Sequence, residues 1–225
     1  MNNLLVIIDP QNDFVDPKGS LYVPGAEKAI EEIIKFVKEH GDQIDEIFVT
    51  QDSHFKFHIG HSCFWNGDPD PFTTITAKDI KSGKYTPKVD CWIDDALIRC
   101  CLSGEDEVIA QIWPEHCING TWGHALPENL LQTLHEWALN KHISNSLTRT
   151  CLVFIPKGQY TCKEEYSAWD ALVRVYEEIT FFDPNLLPFD GYNKIWISGV
   201  AKDVCVANTI KDMCLGELGC SQVSF

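Results

Sequence analysis

The chain has 225 residues, of which 44% are hydrophobic and 23% are charged, and its formal net charge at pH 7 is -15. The length and composition are typical of a soluble globular protein that can bury a sizeable core. The acidic balance argues against nucleic acid and anionic membranes as partners, because both require a basic protein surface.

The first element in the chain is an apolar run, "LLVII" at Leu4 to Ile8, which predicts a buried strand. The segment after it, "GAEKAIEEIIKFVKEH", has apolar residues at helical spacing. Further apolar runs alternate with helical patterns along the chain. The later predicted strands are 46–50, 107–112, 151–156, 194–198 and 220–225, and the later predicted helices are 126–142, 164–179 and 203–218.

Alternation of strands and helices, with strands that are apolar throughout, predicts a parallel sheet covered on both faces. We therefore expect an α/β fold, a three-layer α/β/α sandwich around a central, mostly parallel six-stranded sheet of Rossmann-like type. One domain spanning residues 1–225 is expected. The stretch from Ser62 to Asp106 breaks the pattern and is interpreted as a long insertion of functional importance.

The ten cysteines do not indicate a disulfide framework, since the chain is long and its N-terminal segment lacks the features of a secretory signal. The apolar run at the N-terminus is also too short to span a membrane. We expect reduced thiols in a cytoplasmic protein.

Chemically capable side chains follow most of the predicted strands. Asp9 follows the first, Asp52 and His54 the second, His116 the third, Lys157 the fourth and Cys205 the fifth. In open parallel sheets, ligands bind beyond the carboxyl ends of the strands. The sequence therefore predicts one site built from these strand ends.

A thiol, an acid and an ammonium are the parts of a nucleophilic site. Asp9 could accept the proton of Cys205 and return it to a departing amine, while Lys157 would stabilise the charged state. The turn that leads into the helix at Cys205 would offer the backbone N–H groups of Ala201 and Cys205 to an oxyanion.

A second set of residues has the donors of a metal site. Asp52, His54 and His116 would supply one carboxylate and two imidazoles, which suits zinc or iron with open positions for water or substrate. His58 and His61 are further ligands or supporting partners in this interpretation. Each residue alone has a plainer explanation, such as a turn cap for Asp9 or a small core residue for Cys205.

Five segments resemble the sequence blocks of the isochorismatase-like cysteine hydrolases, and within that superfamily those of nicotinamidases. They are "LLVIIDPQNDFVDPKGSLYVPGA", "FVTQDSHFKFH", "WPEHCINGTWGHAL", "PKGQYTCKEEYSAW" and "ISGVAKDVCVANTIKDM". The resemblance implies the three-layer fold of that superfamily and a catalytic triad of Asp9, Lys157 and Cys205. It also implies a metal ion on Asp52, His54 and His116.

Several finer expectations come from the same resemblance. The metal would be one divalent ion, zinc in the first place, with iron and manganese as alternatives. Phe14 and Tyr166 would contact the substrate, and the Val200–Ala201 peptide bond would be cis. The stretch Ser62 to Asp106 is longer than its nicotinamidase counterpart and would narrow the pocket, whereas the C-terminus is expected to be shortened.

The expected function is hydrolysis of a small amide by a cysteine nucleophile, with nicotinamide as the favoured substrate. Two alternatives stay open at this point. One is a related amidase of the superfamily acting on another small amide or a ureido compound, and the other is an inactive relative that only binds. The expected partner is a small-molecule amide, with a homo-oligomer as a further possibility.

Overall fold

A computed structural model gives the structure of residues 2–89, 108–145, 151–162, 164–169, 171–172, 192–215 and 223–224. Half of the predicted helix 164–179, namely residues 170 and 173–179, and the second part of the insertion, residues 90–106, lie outside these ranges. No helix in the described part of the chain is both long and apolar enough to cross a membrane.

The central sheet contains five strands, all parallel to their neighbours. They are β1 (Asn2–Ile8), β2 (Glu46–Asp52), β7 (Leu152–Lys157), β8 (Tyr192–Gly199) and β9 (Val223–Ser224), in the order β7-β2-β1-β8-β9. In the middle strand β1, residues Leu4 to Ile8 are at most 2% exposed. A strand buried on both faces has to be apolar throughout, which explains the uninterrupted "LLVII".

Alternate residues of β1 serve two separate cores. Leu5 and Ile7 pack with the helices α2 (Ala26–His40) and α4 (Glu128–Asn145) on one face of the sheet. Leu4, Val6 and Ile8 pack on the other face with residues that include Met213 of α5 (Ala207–Leu215). The period of two along a strand produces these two cores, and the three-layer α/β prediction is confirmed.

The predicted number of sheet strands is corrected by the structure. The run at 107–112 forms β6 (Val108–Gln111), which pairs antiparallel with β4 (Thr74–Thr76) instead of joining the central sheet. The described sheet therefore has five strands, not six. The insertion supplies the partner strand β4. The backbone of the apolar run at 108–111 therefore makes its strand pairing outside the main sheet.

The first part of the insertion forms a small core of its own. It contains the short helix α3 (Ala77–Lys81) and the strand pair β3 (Trp65–Asn66) and β5 (Thr86–Pro87). The short helix α1 (Asn12–Val15) lies outside it and packs in the core of α2 and α4. The buried side chains of this core are Ile59, Phe64, Trp65, Ile75, Ala77, Ile80, Ala110 and Ile112. Ile112 of this core lies four positions before His116 in the chain.

Candidate active site

The carboxyl ends of the strands bring Asp9, Lys157 and Cys205 together. The Lys157 Nζ lies 3.0 Å from Asp9 Oδ2 and 3.8 Å from Cys205 Sγ. All three residues are at most 5% exposed. The predicted meeting of acid, ammonium and thiol is therefore present in the geometry of the described chain.

Local contacts hold the acid and the ammonium in place. Asp9 has a φ of +47°, an uncommon value for a residue with a side chain. The Thr50 hydroxyl donates to Asp9 Oδ1 at 2.8 Å and the Asp9 N–H donates back to Thr50 Oγ1 at 3.2 Å. Lys157 Nζ also donates to the Glu165 carbonyl at 3.2 Å and to Asp52 Oδ1 at 2.5 Å.

Burial and charge pull the ionisable groups in different directions. Burial raises the pKa of Asp9 despite the opposing charge of Lys157. Burial would also raise the pKa of Asp52, but the charge of Lys157 and contacts with the two histidines hold it well below its usual range. Desolvation disfavours the Lys157 ammonium, yet the two carboxylates raise its pKa well above the ordinary value. The pair Lys157–Asp52 is therefore charged, and Asp9 is the carboxyl that can exchange a proton.

Burial also raises the pKa of the Cys205 thiol well above its ordinary value, and Lys157 only partly offsets this effect. The resting cysteine is a neutral thiol. It therefore requires a base at the moment of attack, and the carboxylate oxygens of Asp9 and Asp52 lie within 4.8 Å of the sulfur.

Asp52, His54 and His116 form a second cluster, and its donor atoms lie within 4.8 Å of one another. His54 Nδ1 donates to the Gly158 carbonyl at 2.9 Å and His116 Nδ1 donates to the Pro114 carbonyl at 2.8 Å. In the neutral form each ring then has its lone pair on Nε2, and each Nε2 faces Asp52, at 3.7 and 3.8 Å from its carboxylate oxygens. Two oriented imidazoles and a carboxylate fit a divalent metal ion.

Backbone pairing explains how His116 reaches this cluster although β6 lies outside the central sheet. Bridges of backbone hydrogen bonds join His54 to Ile118 and His61 to Trp113. The position of the His54 ring also requires a glycine at position 158. Gly158 has a φ of +71°, and a Cβ at this position would lie 2.6 Å from His54 Cε1.

A cleft of about 240 Å³ opens between the two clusters. Its walls include Asp52, His54, His116 and Cys205. Three further residues that the sequence assigned to substrate or oxyanion binding also line it, namely Phe14, Tyr166 and Ala201. The Phe14 ring lies 5.5 Å from the His116 ring, and the Tyr166 hydroxyl accepts from Trp113 Nε1 at 3.4 Å. Asp9 and Lys157 lie buried beneath this surface.

The sequence of the chain is similar to the sequences of nicotinamidases. The nicotinamidase of Saccharomyces cerevisiae is 28% identical to the chain over 206 residues, which are 91% of this chain and 78% of that protein. The nicotinamidase of Acinetobacter baylyi is 28% identical over 211 residues, which are 94% of this chain and 74% of that protein. No protein-family model matches the chain.

Solved structures give the same result. The yeast nicotinamidase superposes with a TM-score of 0.61 at 25% identity, covering 95% of this chain and 82% of that chain. The chain is therefore similar to nicotinamidases both in sequence and in fold. The pyrazinamidase of Pyrococcus horikoshii, solved in complex with zinc, shares the fold with a TM-score of 0.53 at 20% identity, covering 96% of this chain and 80% of that chain.

One expectation drawn from the nicotinamidase resemblance is wrong. The Val200–Ala201 peptide bond was expected to be cis, but it is trans, as are the other described peptide bonds. The trans form is the low-energy state for a bond that does not precede proline. In this arrangement the Ala201 carbonyl accepts from the N–H groups of Val204 and Val206, at 3.1 and 3.3 Å.

Three polar residues of this nicotinamidase-like site were missed in the sequence. Gln11 accepts from the Asp52 N–H at 2.8 Å and donates to the Asp52 carbonyl at 2.7 Å, which ties the ends of β1 and β2 together. Thr50 orients Asp9, and Glu164 lines the cleft. Gln11 and Thr50 each lie two positions from a predicted site residue, Asp9 and Asp52, and this proximity could have identified them. Glu164 has no comparable feature in the sequence.

The cysteines agree with the expectation of reduced thiols where they can be assessed. Cys63, Cys117, Cys151, Cys162 and Cys205 are thiols and not members of disulfides. Cys91, Cys100, Cys101 and Cys220, and the side chain of Cys214, lie outside what the structure describes.

Proposed function

We propose that this chain is a cysteine amidohydrolase that converts nicotinamide into nicotinate and ammonia. The observation that carries the proposal is the cluster in which Lys157 Nζ lies 3.0 Å from Asp9 and 3.8 Å from the Cys205 sulfur. The sequence similarity to nicotinamidases over 91% of the chain supports the same substrate.

The first half of the reaction forms a thioester. Cys205 Sγ transfers its proton to the Asp9 carboxylate and attacks the carboxamide carbon, so that a carbon–sulfur bond forms and the carbonyl oxygen becomes negative. The backbone N–H groups of Ala201 and Cys205 stabilise that oxyanion. Asp9 then protonates the nitrogen, the carbon–nitrogen bond breaks and ammonia leaves.

The second half hydrolyses the thioester. Asp9 accepts a proton from water as the water oxygen attacks the acyl carbon. The carbon–sulfur bond then breaks, Cys205 recovers a proton and nicotinate leaves. Lys157 remains an ammonium throughout and offsets the negative charge that moves between Asp9 and the sulfur.

Asp52, His54 and His116 would hold one divalent metal ion, and zinc suits two imidazoles and a carboxylate. When bound, the ion supplies a Lewis acid and a positive charge at this wall of the cleft. The hydrogen bonds of His54 and His116 to backbone carbonyls orient the two imidazole rings for this role.

The test is a product assay on the purified protein. With nicotinamide, we expect ammonia and nicotinate in equal amounts, and metal analysis should find about one ion per chain. Release of ammonia from ureido or other small amides, without release from nicotinamide, would replace the proposed substrate. No release from any amide in such a panel would contradict the enzymatic proposal.

A further inference from the structure

Asp13 is a buried acidic residue that the proposed reaction does not use. It is 8% exposed and lies in α1, one position before Phe14 at the wall of the cleft. Aspartates are almost never fully buried unless they are paired. The partners of its two oxygens therefore indicate what this residue does.

Each oxygen of Asp13 accepts from the backbone of a different segment. The Cys117 N–H donates to Oδ2 at 2.7 Å, and the Ser20 N–H donates to Oδ1 at 3.0 Å. A carboxylate accepts at both oxygens, whereas an asparagine side chain has one oxygen acceptor and one NH₂ donor group. Asp13 thus joins α1 to the loop that follows His116 and to the segment after Ser20, whose next three residues line the cleft.

The hydrogen bond to Cys117 acts on the peptide unit that follows His116. Cys117 has a φ of +47°, which is uncommon for a residue with a side chain. Its carbonyl accepts from the His54 N–H at 3.1 Å. Asp13, Cys117 and His54 are therefore joined by consecutive hydrogen bonds, which hold the backbones at His54 and His116 in one arrangement.

A glycine provides the space that this carboxylate occupies. A Cβ at Gly123 would lie 2.0 Å from Asp13 Oδ2. The Asp13 N–H also donates to the Gly123 carbonyl at 3.0 Å, so the two backbones lie side by side. A side chain at position 123 would therefore displace the carboxylate from the Cys117 N–H without removing it from the protein.

We propose that Asp13 is a positioning residue for the metal site, which acts through the Cys117 backbone to hold His116 beside His54. The inference rests on the proposed function, in which Asp52, His54 and His116 hold a divalent ion, and deepens it. Groups that support metal ligands from outside the ligand set typically contribute about 10–100-fold to metal affinity. Loss of the Asp13 hydrogen bond should therefore weaken zinc binding.

The experiment measures the zinc Kd by chelator competition on protein stripped of metal, which requires no turnover. Asp13→Asn keeps the side-chain shape but replaces an acceptor by a donor, and its Kd should rise at least about tenfold. Asp79→Asn is the matched control, because Asp79 also accepts a backbone N–H, from Thr76 at 3.1 Å, but lies outside the cleft lining. Its Kd should stay within about twofold of the wild-type value, since it shares no partner with the metal ligands.

Cobalt in the same site supplies a readout that a merely structural role would not alter. At saturating Co²⁺, the visible absorption band of Asp13→Asn should differ from that of the wild type, because this band reports the ligand geometry. Asp79→Asn should give the wild-type band. Thermal denaturation verifies that each variant is folded. If Asp13→Asn does not fold, Gly123→Ala replaces it, since its Cβ displaces the same carboxylate.

Two results would overturn the inference. One is a folded Asp13 variant with a zinc Kd within about twofold of the wild-type value. The other is an equal loss of zinc affinity in Asp79→Asn, which would reflect a general loosening of the protein. A wild-type protein that binds no zinc would contradict the metal site of the proposed function and the inference with it. Zinc binding without ammonia release from nicotinamide is a different result, which contradicts only the proposed activity.

Discussion

The two sides of the cleft differ in how completely the chain satisfies its own polar groups. On the thiol side, formed by Asp9, Lys157 and Cys205, one ammonium binds two carboxylates and lies against the sulfur. On the histidine side, formed by His54, His58, His61 and His116, two rings have a ring nitrogen without a partner among the described residues. The first side is held together by ion pairs, although Asp9 Oδ2 has no hydrogen-bond partner among the described residues. The second side consists of closely packed imidazole rings without such ion pairs to a lysine.

The ionisation of the two sides reflects this difference. The ion pairs raise the pKa of Lys157 above its ordinary value. Burial lowers the pKa of His58 to about 2 and that of His61 to about 4, so both rings are neutral. In the proposed function the thiol side performs the covalent chemistry, and the histidine side binds the metal ion.

The largest expected effect belongs to the thiol side. Cys205→Ala removes the nucleophile, so turnover of nicotinamide should fall by at least about 10³-fold, within the range seen when a nucleophile is deleted. The fold should persist, which circular dichroism and thermal denaturation can verify. Cys63→Ala is the matched control, since Cys63 is a free thiol outside the cleft lining. Equal turnover in Cys205→Ala and wild type would contradict the assignment of the covalent chemistry to the thiol side.

Lys157→Met should affect stability more than any surface charge. It leaves Asp9 and Asp52 buried without their cation, and breaking a buried ion pair in this way costs about 3–5 kcal/mol. Lys56→Met is the control, because the Lys56–Glu115 pair is solvent-exposed and such pairs contribute about 0–1 kcal/mol. Urea denaturation of both variants measures the two losses. Similar small losses would show that Lys157 is not holding the carboxylates together.

Zinc should stabilise the protein through the histidine side. At a free zinc concentration 100 times the Kd, the gain in unfolding free energy is about 2.7 kcal/mol. His116→Asn should lose most of this gain, because it removes one of the three ligands. His135→Asn, an exposed histidine on α4, should keep it. A zinc-induced shift in Tm that is the same in all three proteins would place the ion elsewhere.

The smallest expected effect is a pH-dependent one at Glu164. Burial raises the pKa of its carboxyl from the ordinary value of 4.5 to about 7. The folded state therefore retains a proton that the unfolded state loses, and stability falls as the pH rises from 4.5 to 7. Glu164→Gln cannot lose a proton, so above pH 7 it should be more stable than the wild type by on the order of 1–3 kcal/mol.

Denaturation of both proteins in the absence of metal at pH 4.5 and at pH 8 measures this difference. The two should have similar stability at the lower pH. An advantage of Glu164→Gln that is the same at both values would contradict a buried carboxyl, because the effect would then not depend on ionisation.

The sequence predicted the thiol side better than the histidine side, and the fold explains why. Asp9, Lys157 and Cys205 follow parallel strands of one sheet, whose carboxyl ends meet by geometry alone. His116 lies beside His54 as expected, but the expected reason was wrong. The strand before His116 pairs with β4 and not with the central sheet, and isolated backbone bridges hold the loop beside His54.

Other features depend on contacts that periodicity does not encode. The antiparallel pairing of β6 depends on a partner within the insertion, so the strand count of the sheet could not be obtained from apolar runs. The approach of Glu164 to Gly60 joins residues 104 positions apart, and the elevated pKa of Cys205 depends on burial in the finished fold. The sequence identified side chains capable of the chemistry but not their protonation states.

The central claim is that Cys205 carries the acyl group during turnover, and trapping that intermediate tests it most directly. The protein is mixed with excess nicotinamide, quenched in acid within one turnover and mapped by peptide mass spectrometry. A nicotinoyl group on the peptide that contains Cys205, absent from Cys205→Ala, is the predicted result. Formation of nicotinate with every cysteine unmodified at all quench times, together with continued turnover by Cys205→Ala, would contradict the account.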